Sequence, residues 1–205
     1  MPETEWHVPL LSLPHRLGLD SNVRADAVPY LRAPAADIAR ATLALPARDD
    51  GRPLRLGLVW AGNPSFTGRV TRDLDASLLP ELTAIPGVQW IALQHGAAGD
   101  AEIPGLERVP LPGDWAATAG MLAALDGLVS TDTGIVHLAG AMGVRTWVML
   151  QAVPDWRWGM RGTTSAWYPS ITLLRQDAPG NWAGVVRQAQ EQLPVHRRLP
   201  PADLE

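Results

Sequence analysis

From Leu54 onwards, short apolar runs alternate with segments of helical spacing, and this alternation constrains the fold more than any other feature of the sequence. Strands that alternate with helices through short connections form a parallel sheet with right-handed crossovers. The sequence therefore predicts an α/β fold, one parallel sheet with helices on both faces. The predicted strands lie near residues 54–61, 88–94, 107–111, 127–131, 144–150 and 171–175, and the predicted helices near 77–85, 115–125, 134–142 and 181–193.

The segment Gly127–Met142 predicts a buried strand that turns directly into a helix. A helix start carries unpaired N–H groups and a partial positive charge, and Gly134 would let an anion approach the backbone closely. A phosphate would suit this turn, although an ordinary capped helix would give the same pattern. With Thr133 as the cap, helical spacing predicts an inward face of Ile135, Leu138, Ala139 and Met142 and an opposite side of Gly134, His137 and Ala141.

The composition limits the other interpretations. The chain has 205 residues, 46% of them hydrophobic, which is enough for one well-packed domain but not for two. Its 17 basic residues are all arginine and are scattered, so neither nucleic acid nor a membrane surface is an expected partner. There is no cysteine for disulfides or thiolate metal sites. No apolar run reaches the roughly 18 residues of a membrane span, and the start lacks a signal-peptide pattern. A cytoplasmic protein without a membrane span is expected.

Two segments stand outside the alternating pattern. Residues 1–53 are punctuated by proline and contain one short predicted helix, Asp37–Leu45. They are expected to lack a core of their own and either to wrap the sheet domain or to extend from it. As a connector, they would once have belonged to, or would still contact, a neighbouring domain. The loop Gln151–Ser170 holds three tryptophans and a tyrosine, and long loops of this composition are seldom disordered. Two interpretations of its aromatic residues are open, since they could seal the sheet edge or a lost domain interface, or they could contact a ligand.

Four segments occur in an order that resembles a known family. They are Gly57–Pro64, the motif Asp132-Thr133-Gly134 with His137, the segment Pro154–Trp158, and Trp167–Ser170. Together they resemble the C-terminal half of family 9, heptosyltransferase-like glycosyltransferases, especially the catalytic part of bacterial tetratricopeptide-repeat glycosyltransferase-like proteins. The resemblance covers nearly all of residues 54–193.

The resemblance implies a GT-B architecture, in which two Rossmann-like, doubly wound domains face each other across a cleft. This chain would hold the C-terminal, donor-binding domain, and a nucleotide-diphosphate sugar would lie at the carboxyl ends of its strands, with no metal or other cofactor. Because the chain has no lysine, Arg69 or Arg72 would stabilise the leaving diphosphate. The implied donor-binding residues are Gly62, Asn63, Gln94, Leu111, Asp132, Thr133, Gly134 and His137.

The implied domain limits are 1–53 for a connector, or tail of a missing N-terminal GT-B domain, 54–195 for the nucleotide-sugar-binding domain and 196–205 for a C-terminal tail. In such enzymes the base that deprotonates the acceptor belongs to the other half, so the isolated chain is not expected to turn over. A missing GT-B domain or a repeat region is the expected protein partner. The alternative is a non-catalytic nucleotide-binding or protein-interaction remnant. A dehydrogenase fits least, since no GxGxxG motif follows the first strand.

Overall fold

The computed structural model describes residues 7–18, 28–48, 51–52, 54–63, 72–100 and 102–193. Arg69, the predicted tail 196–205 and parts of the predicted connector 1–53 lie outside these residues. The limits of the three proposed segments stay predictions.

Six parallel strands form one sheet with the order β3-β2-β1-β4-β5-β6. This is the order of a doubly wound sheet in which the winding reverses between β1 and β4. The predicted α/β fold with a single parallel sheet is therefore confirmed. The strands are β1 (Leu54–Val59), β2 (Val88–Ala92), β3 (Leu106–Arg108), β4 (Gly127–Thr131), β5 (Thr146–Leu150) and β6 (Ile171–Arg175).

Helices connect the strands and precede the sheet. The α-helices are α1 (Leu13–Arg16), α2 (Ala35–Ala44), α3 (Leu79–Thr83), α4 (Trp115–Ala123), α5 (Gly134–Ala141) and α6 (Trp182–Gln192). Short 3-10 helices cover Leu10–Ser12, Ala76–Leu78, Ala97–Asp100 and Trp156–Trp158. None of the helices in the described part of the chain has the length and apolar character that a membrane crossing requires.

Side-chain alternation along the strands divides the core into two layers. Leu56 and Leu58 of β1 belong to the layer that includes α3 and α6. Val59 belongs to the opposite layer, which includes α2, α4 and α5. Both faces of the sheet are covered, because alternate residues of a strand point to opposite sides and β1 is buried along its whole length. The loops that follow the carboxyl ends of the strands therefore form the edge at which a ligand can bind.

The differences from the predicted elements have local causes. β3 ends at Arg108 and not at 111, since Pro110 and Pro112 offer no backbone N–H to a ladder. The predicted helix over 77–85 consists of a 3-10 helix followed by α3.

The predicted inward face of α5 is wrong in part. Ala139 is buried as predicted, but the other buried residues are Val136, Gly140 and Ala141, and Ala141 had been placed on the opposite side. Ile135, Leu138 and Met142 are only partly buried against the same core layer. Almost every position of this helix is apolar, so the sequence pattern does not single out one face.

The segment before β1 packs on the sheet domain. The amides of Tyr30 and Leu31 both donate to the Ala141 carbonyl, over 2.9 and 3.2 Å. Helix α2 crosses α4 so closely that a Cβ on Gly120 would lie 2.6 Å from the backbone of Asp37. Ala41 of α2 is buried in the core layer on that face.

Candidate functional site

The loops after β1 and β4 are neighbours at the carboxyl edge of the sheet. The two strands pair directly, with Val59 opposite Ser130. In open α/β sheets a ligand binds in the crevice where the winding reverses, outside the carboxyl ends of the strands. The loop after Val59 and the turn Asp132–Thr133 border that crevice.

The turn between β4 and α5 is not capped as predicted. Thr133 occupies the N-cap position with an extended backbone, but its side chain makes no capping hydrogen bond. Its hydroxyl lies 3.1 Å from the Ser130 hydroxyl instead. The first turn of α5 therefore receives no side-chain cap from Thr133, and its N–H groups are the kind that an anion can bind.

An exposed tryptophan lies against the first residue of α5. A Cβ added to Gly134 would lie 3.0 Å from Cη2 of Trp115, whose side chain is 62% exposed. Trp115 follows Asp114, which caps α4 by accepting a hydrogen bond from the Ala117 amide. Gly134 thus leaves space at the helix start that the indole borders. Trp115 is not among the predicted donor-binding residues, although its place directly after a strong cap residue puts it at the same sheet edge.

Asp132 lies half-buried in the turn. Burial raises the pKa of its carboxyl above the ordinary value, and the Trp158 indole, the charge of His137 and the charge of Arg72 oppose that shift, in decreasing order. The carboxylate is therefore surrounded by groups from three separate segments. Asp132, the first residue of the Asp132-Thr133-Gly134 motif, is therefore within the electrostatic influence of Arg72, one of the two predicted leaving-group arginines.

Two aromatic side chains of the 151–170 loop hold His137. The imidazole stacks on Trp158, with ring centroids 5.3 Å apart and an interplanar angle of 16°. Its Nδ1 lies 3.3 Å from the Tyr168 hydroxyl. Burial lowers the pKa of His137, whereas the nearby charge of Asp132 raises it. Burial is the larger effect, so the side chain favours the neutral form.

Tyr168 is itself held in place. Burial and the neighbouring Tyr30 raise the pKa of Tyr168 to about 12, so its hydroxyl keeps its proton at neutral pH. When that hydroxyl donates to Nδ1 of His137, the imidazole proton lies on Nε2. The loop thus contacts the motif residue directly, and it also seals the core, because Trp158 is buried. Contact of the aromatic residues with a ligand stays a prediction.

The loop after β1 brings Arg72 to the crevice. A Cβ on Gly62 would overlap the Arg72 guanidinium, so the arginine packs directly over this glycine. The Gly62 amide donates to the Asp73 carboxylate over 2.8 Å. Asn63 is exposed at the end of the described part of this loop, and Arg69 lies outside the described residues. Arg72 packs over Gly62 of the loop after β1, and its charge acts on Asp132 of the turn after β4. Its role towards a leaving diphosphate stays a prediction.

Gln94 braces the loop after β1. Its Oε1 accepts hydrogen bonds from the amides of Trp60 and Ala61, and its Nε2 donates to the carbonyls of Ala61 and His95. These contacts define a positioning role, and a direct contact between Gln94 and a donor stays a prediction. Leu111 is exposed in the loop after β3, three residues beyond the strand end.

A metal-free site was expected, but the segment after β1 contains one motif that is typical of cation sites. Asp73-Leu74-Asp75 is an Asp-x-Asp triplet, the spacing that some glycosyltransferases use for a cation. Here Asp73 accepts from Gly62, and Asp75 caps a 3-10 helix by accepting from the amide and hydroxyl of Ser77. Within the described ranges, no three His, Asp or Glu side chains form a group that could hold a metal.

Comparison with solved structures identifies a similar fold. The structure of Escherichia coli heptosyltransferase WaaC with ADP matches with a TM-score of 0.51 and 15% identity, over 87% of this chain and 53% of that chain. WaaC with ADP-2-deoxy-2-fluoro heptose gives a TM-score of 0.46 and 17% identity, over 88% of this chain and 51% of that chain. The chain thus spans about half the length of WaaC. No protein-family model and no curated protein matches it.

The fold is therefore a Rossmann-like α/β fold, similar to that of part of a GT-B glycosyltransferase. The likeness extends over most of this chain, and at this identity it defines the fold alone. The roles of individual site residues rest on the geometry described above.

Proposed function

We propose that this chain is the donor-binding half of a metal-independent glycosyltransferase, and that it binds a nucleotide-diphosphate sugar. The observation that carries the proposal is that Arg72, which packs over Gly62, acts on the charge of Asp132 in the turn before α5, at the point where the sheet order reverses. Thr133 gives that helix start no side-chain cap. Backbone N–H groups on one side and a guanidinium on the other form an electrostatic cradle for a diphosphate.

In transfer, negative charge develops on the leaving diphosphate. The amides at Thr133 and Gly134 and the Arg72 guanidinium would stabilise this charge without a cation. His137, fixed by Trp158 and Tyr168, would donate from Nε2 to a phosphate or sugar oxygen. The heptosyltransferase likeness supports the proposal through the fold, since WaaC is seen with ADP and with an ADP-sugar analogue. The nucleobase and sugar of the donor, and the acceptor, are to be identified by measurement.

Calorimetric titration with UDP-, ADP- and GDP-sugars tests the proposal. We expect one series to bind, and Gly134→Val to abolish binding while the far-UV circular dichroism stays unchanged. Loss of two charge-assisted hydrogen bonds, each worth roughly 1.5–3 kcal/mol, weakens binding by a factor on the order of 10² or more. His137→Ala should weaken binding less, because that side chain supplies at most one such contact.

Trp115→Ala is the matched control for this variant, because a valine at position 134 also displaces the Trp115 indole. If Trp115→Ala alone reproduces the full loss, the indole and not the anion site explains the effect. If Gly134→Val binds as tightly as the parent, the turn is structural and the proposal is wrong.

A second candidate function is a binding module without transfer. Its support is the exposed apolar side chains Val153, Trp156 and Met160 of the 151–170 loop, a surface that a partner protein could cover. Both candidates bind the nucleotide sugar. Hydrolysis or transfer of the bound sugar by the full-length protein, followed by release of nucleoside diphosphate, favours the enzyme, and its absence favours the module.

A further inference from the structure

Arg175, the last residue of the edge strand β6, gathers the backbone of the 151–170 loop around its guanidinium. Its Nε donates to the Gly162 carbonyl over 2.6 Å, and its Nη1 donates to the Gly159 carbonyl over 2.9 Å. Its Nη2 donates to the carbonyl of Trp158 and, over 3.4 Å, to that of Arg161. One side chain thus binds four carbonyls of a single short segment, 158–162.

The charge of Arg175 is balanced by these carbonyls and not by a carboxylate. Within the part of the chain that the structure describes, no Asp or Glu forms an ion pair with it. Burial lowers the pKa of Arg175, because the guanidinium is partly removed from water. Removing a charge from water costs free energy, so the hydrogen bonds to the loop must offset that cost. The position of the arginine and the path of the loop therefore depend on each other.

The backbone of the loop is shaped to present its carbonyls to the guanidinium. Gly159 and Gly162 have φ angles of +60° and +83°, which side chains with a Cβ rarely adopt. A Cβ at either position would meet nothing within 4 Å, so the backbone conformation and not a lack of space requires glycine there. Just beyond this segment, Thr164 pairs with Thr172 in an antiparallel bridge to β6. The loop is therefore fastened along the edge strand on which Arg175 lies.

The first residue of this segment is the one that contacts His137. Arg175 holds the backbone carbonyl of Trp158, and the indole of the same residue is buried and stacks on the imidazole, with ring centroids 5.3 Å apart. The indole also lies 6.4 Å from the ring of Tyr168, whose hydroxyl meets Nδ1 of His137. A continuous line of contacts therefore leads from Arg175 through Trp158 to the imidazole.

We propose that Arg175 is a positioning residue, which sets the orientation and the burial of the His137 imidazole by holding the backbone of Trp158. All three guanidinium nitrogens donate to loop carbonyls, so Arg175 acts on a bound ligand through His137 and not by contact. The effect on a nucleotide sugar rests on the proposed function. The effect on the imidazole needs no ligand and can be measured on the free chain.

Imidazole ¹H–¹³C spectra recorded as a function of pH test the positioning role. The chain has five histidines, and the signals of His137 are those absent from His137→Ala. We expect Arg175→Met to move these signals away from the ring-current shift that the stacked Trp158 indole produces. We also expect the pKa of His137 to rise, since burial is the main cause that lowers it and Asp132, Asp155 and Arg157 are the charges that act on it. Unchanged ring signals and an unchanged pKa would overturn the proposal.

Two further variants separate positioning from charge and from folding. Arg145→Met is the matched control, because Arg145 is exposed before β5, at the opposite edge of the sheet, and the change in charge is the same. It should leave the His137 signals as in the parent, and an equal displacement in both variants would contradict the proposal. Arg175→Lys keeps the charge but not the planar fork, so a smaller displacement in the same direction is expected. If Arg175→Met does not fold, parent-like His137 signals in Arg175→Lys would overturn the proposal.

A double-mutant cycle measures the consequence for the ligand. By calorimetry with the UDP-, ADP- or GDP-sugar that the parent binds, Arg175→Met should weaken binding about 10-fold, the effect of one hydrogen bond. In the His137→Ala background the same substitution should have no further effect, because the route through the imidazole is already lost. An equal loss in both backgrounds would show that Arg175 acts elsewhere and would overturn the proposal. If the parent binds none of these sugars, the proposed function alone fails, and the imidazole spectra still decide the positioning role.

Discussion

His137 shows how one residue of a short motif is fixed by a distant loop. Trp158 stacks on its ring and Tyr168 meets its Nδ1, although both are more than twenty residues away in sequence. The charged groups that act on the imidazole are Asp132, Asp155 and Arg157. Burial outweighs them, so the folded chain resists protonation of this ring.

The lowered pKa of His137 predicts a pH dependence of stability. Below the ordinary value of 6.5 the unfolded chain takes up a proton that the folded chain resists, so the free energy of unfolding decreases as the pH falls. His137→Phe keeps the stack on Trp158 but cannot titrate. We expect the urea midpoint of the parent to fall more than that of the variant between pH 7.5 and 5.5.

The raised pKa of Asp132 has the opposite effect, because it increases the free energy of unfolding as the pH falls further. The parent and His137→Phe both contain Asp132, so comparing them largely removes this contribution. Identical decreases in the parent and in His137→Phe would show that this imidazole does not limit stability.

Arg72 is the second residue whose role can be isolated. Its guanidinium packs over Gly62 and acts on the charge of Asp132. Loss of one charge-assisted contact, worth roughly 1.5–3 kcal/mol, predicts that Arg72→Ala weakens nucleotide-sugar binding about 10- to 100-fold. Calorimetry at low and high salt measures this change. Arg161→Ala, which alters an exposed arginine of the 151–170 loop, should bind like the parent, and a similar loss in both variants would indicate only a general charge effect.

At the scale of the elements, the close contact between α2 and α4 depends on a glycine, Gly120, at the crossing point. The backbone of Asp37 lies where a Cβ of residue 120 would be. Gly120→Ala therefore forces the two helices apart. Overpacking of this kind costs typically about 1–3 kcal/mol, which lowers the melting temperature by roughly 2–4 °C per kcal/mol in a chain of this size.

Gly113→Ala is the control for this substitution, because a Cβ at that position meets nothing within 4 Å and its φ is not positive. Differential scanning calorimetry of both variants checks the prediction. If the two melt at the same temperature, α2 does not bear on the stability of the sheet domain.

The sequence predicts the strands better than the contacts between them. Nearly continuous apolar runs such as Leu54–Val59, in which Arg55 is the one charged residue, predict buried strands, because such a strand has no polar face. The inward face of α5 was not predicted correctly, since its residues are apolar on nearly every side. The contacts of Trp115 with Gly134 and of Tyr168 with His137 depend on loop paths, for which hydrophobic periodicity carries no information.

At the scale of the whole molecule, the chain forms one Rossmann-like sheet domain with a packed segment before it. A ligand that binds only the folded chain stabilises it by about 2.7 kcal/mol at 100 times its Kd. For a domain of this size that predicts a rise in melting temperature of about 5 to 10 °C with the preferred nucleotide sugar. Thermal shift assays measure this rise.

The same assay with EDTA tests the absence of a metal. We expect the ligand-induced rise to be unchanged by the chelator, since the proposed cradle uses amides and an arginine. A rise that disappears with EDTA and returns with Mn²⁺ would indicate that Asp73 and Asp75 take part in cation binding.

The four hydrogen bonds of Gln94 have a consequence for how fast and how tightly a ligand binds. They hold the backbone of Trp60 and Ala61 in one conformation before any ligand arrives. Fixing the backbone of one residue costs about 1–2 kcal/mol in conformational entropy. For these two residues that cost is met when the chain folds, so association loses less entropy and is not slowed by their ordering.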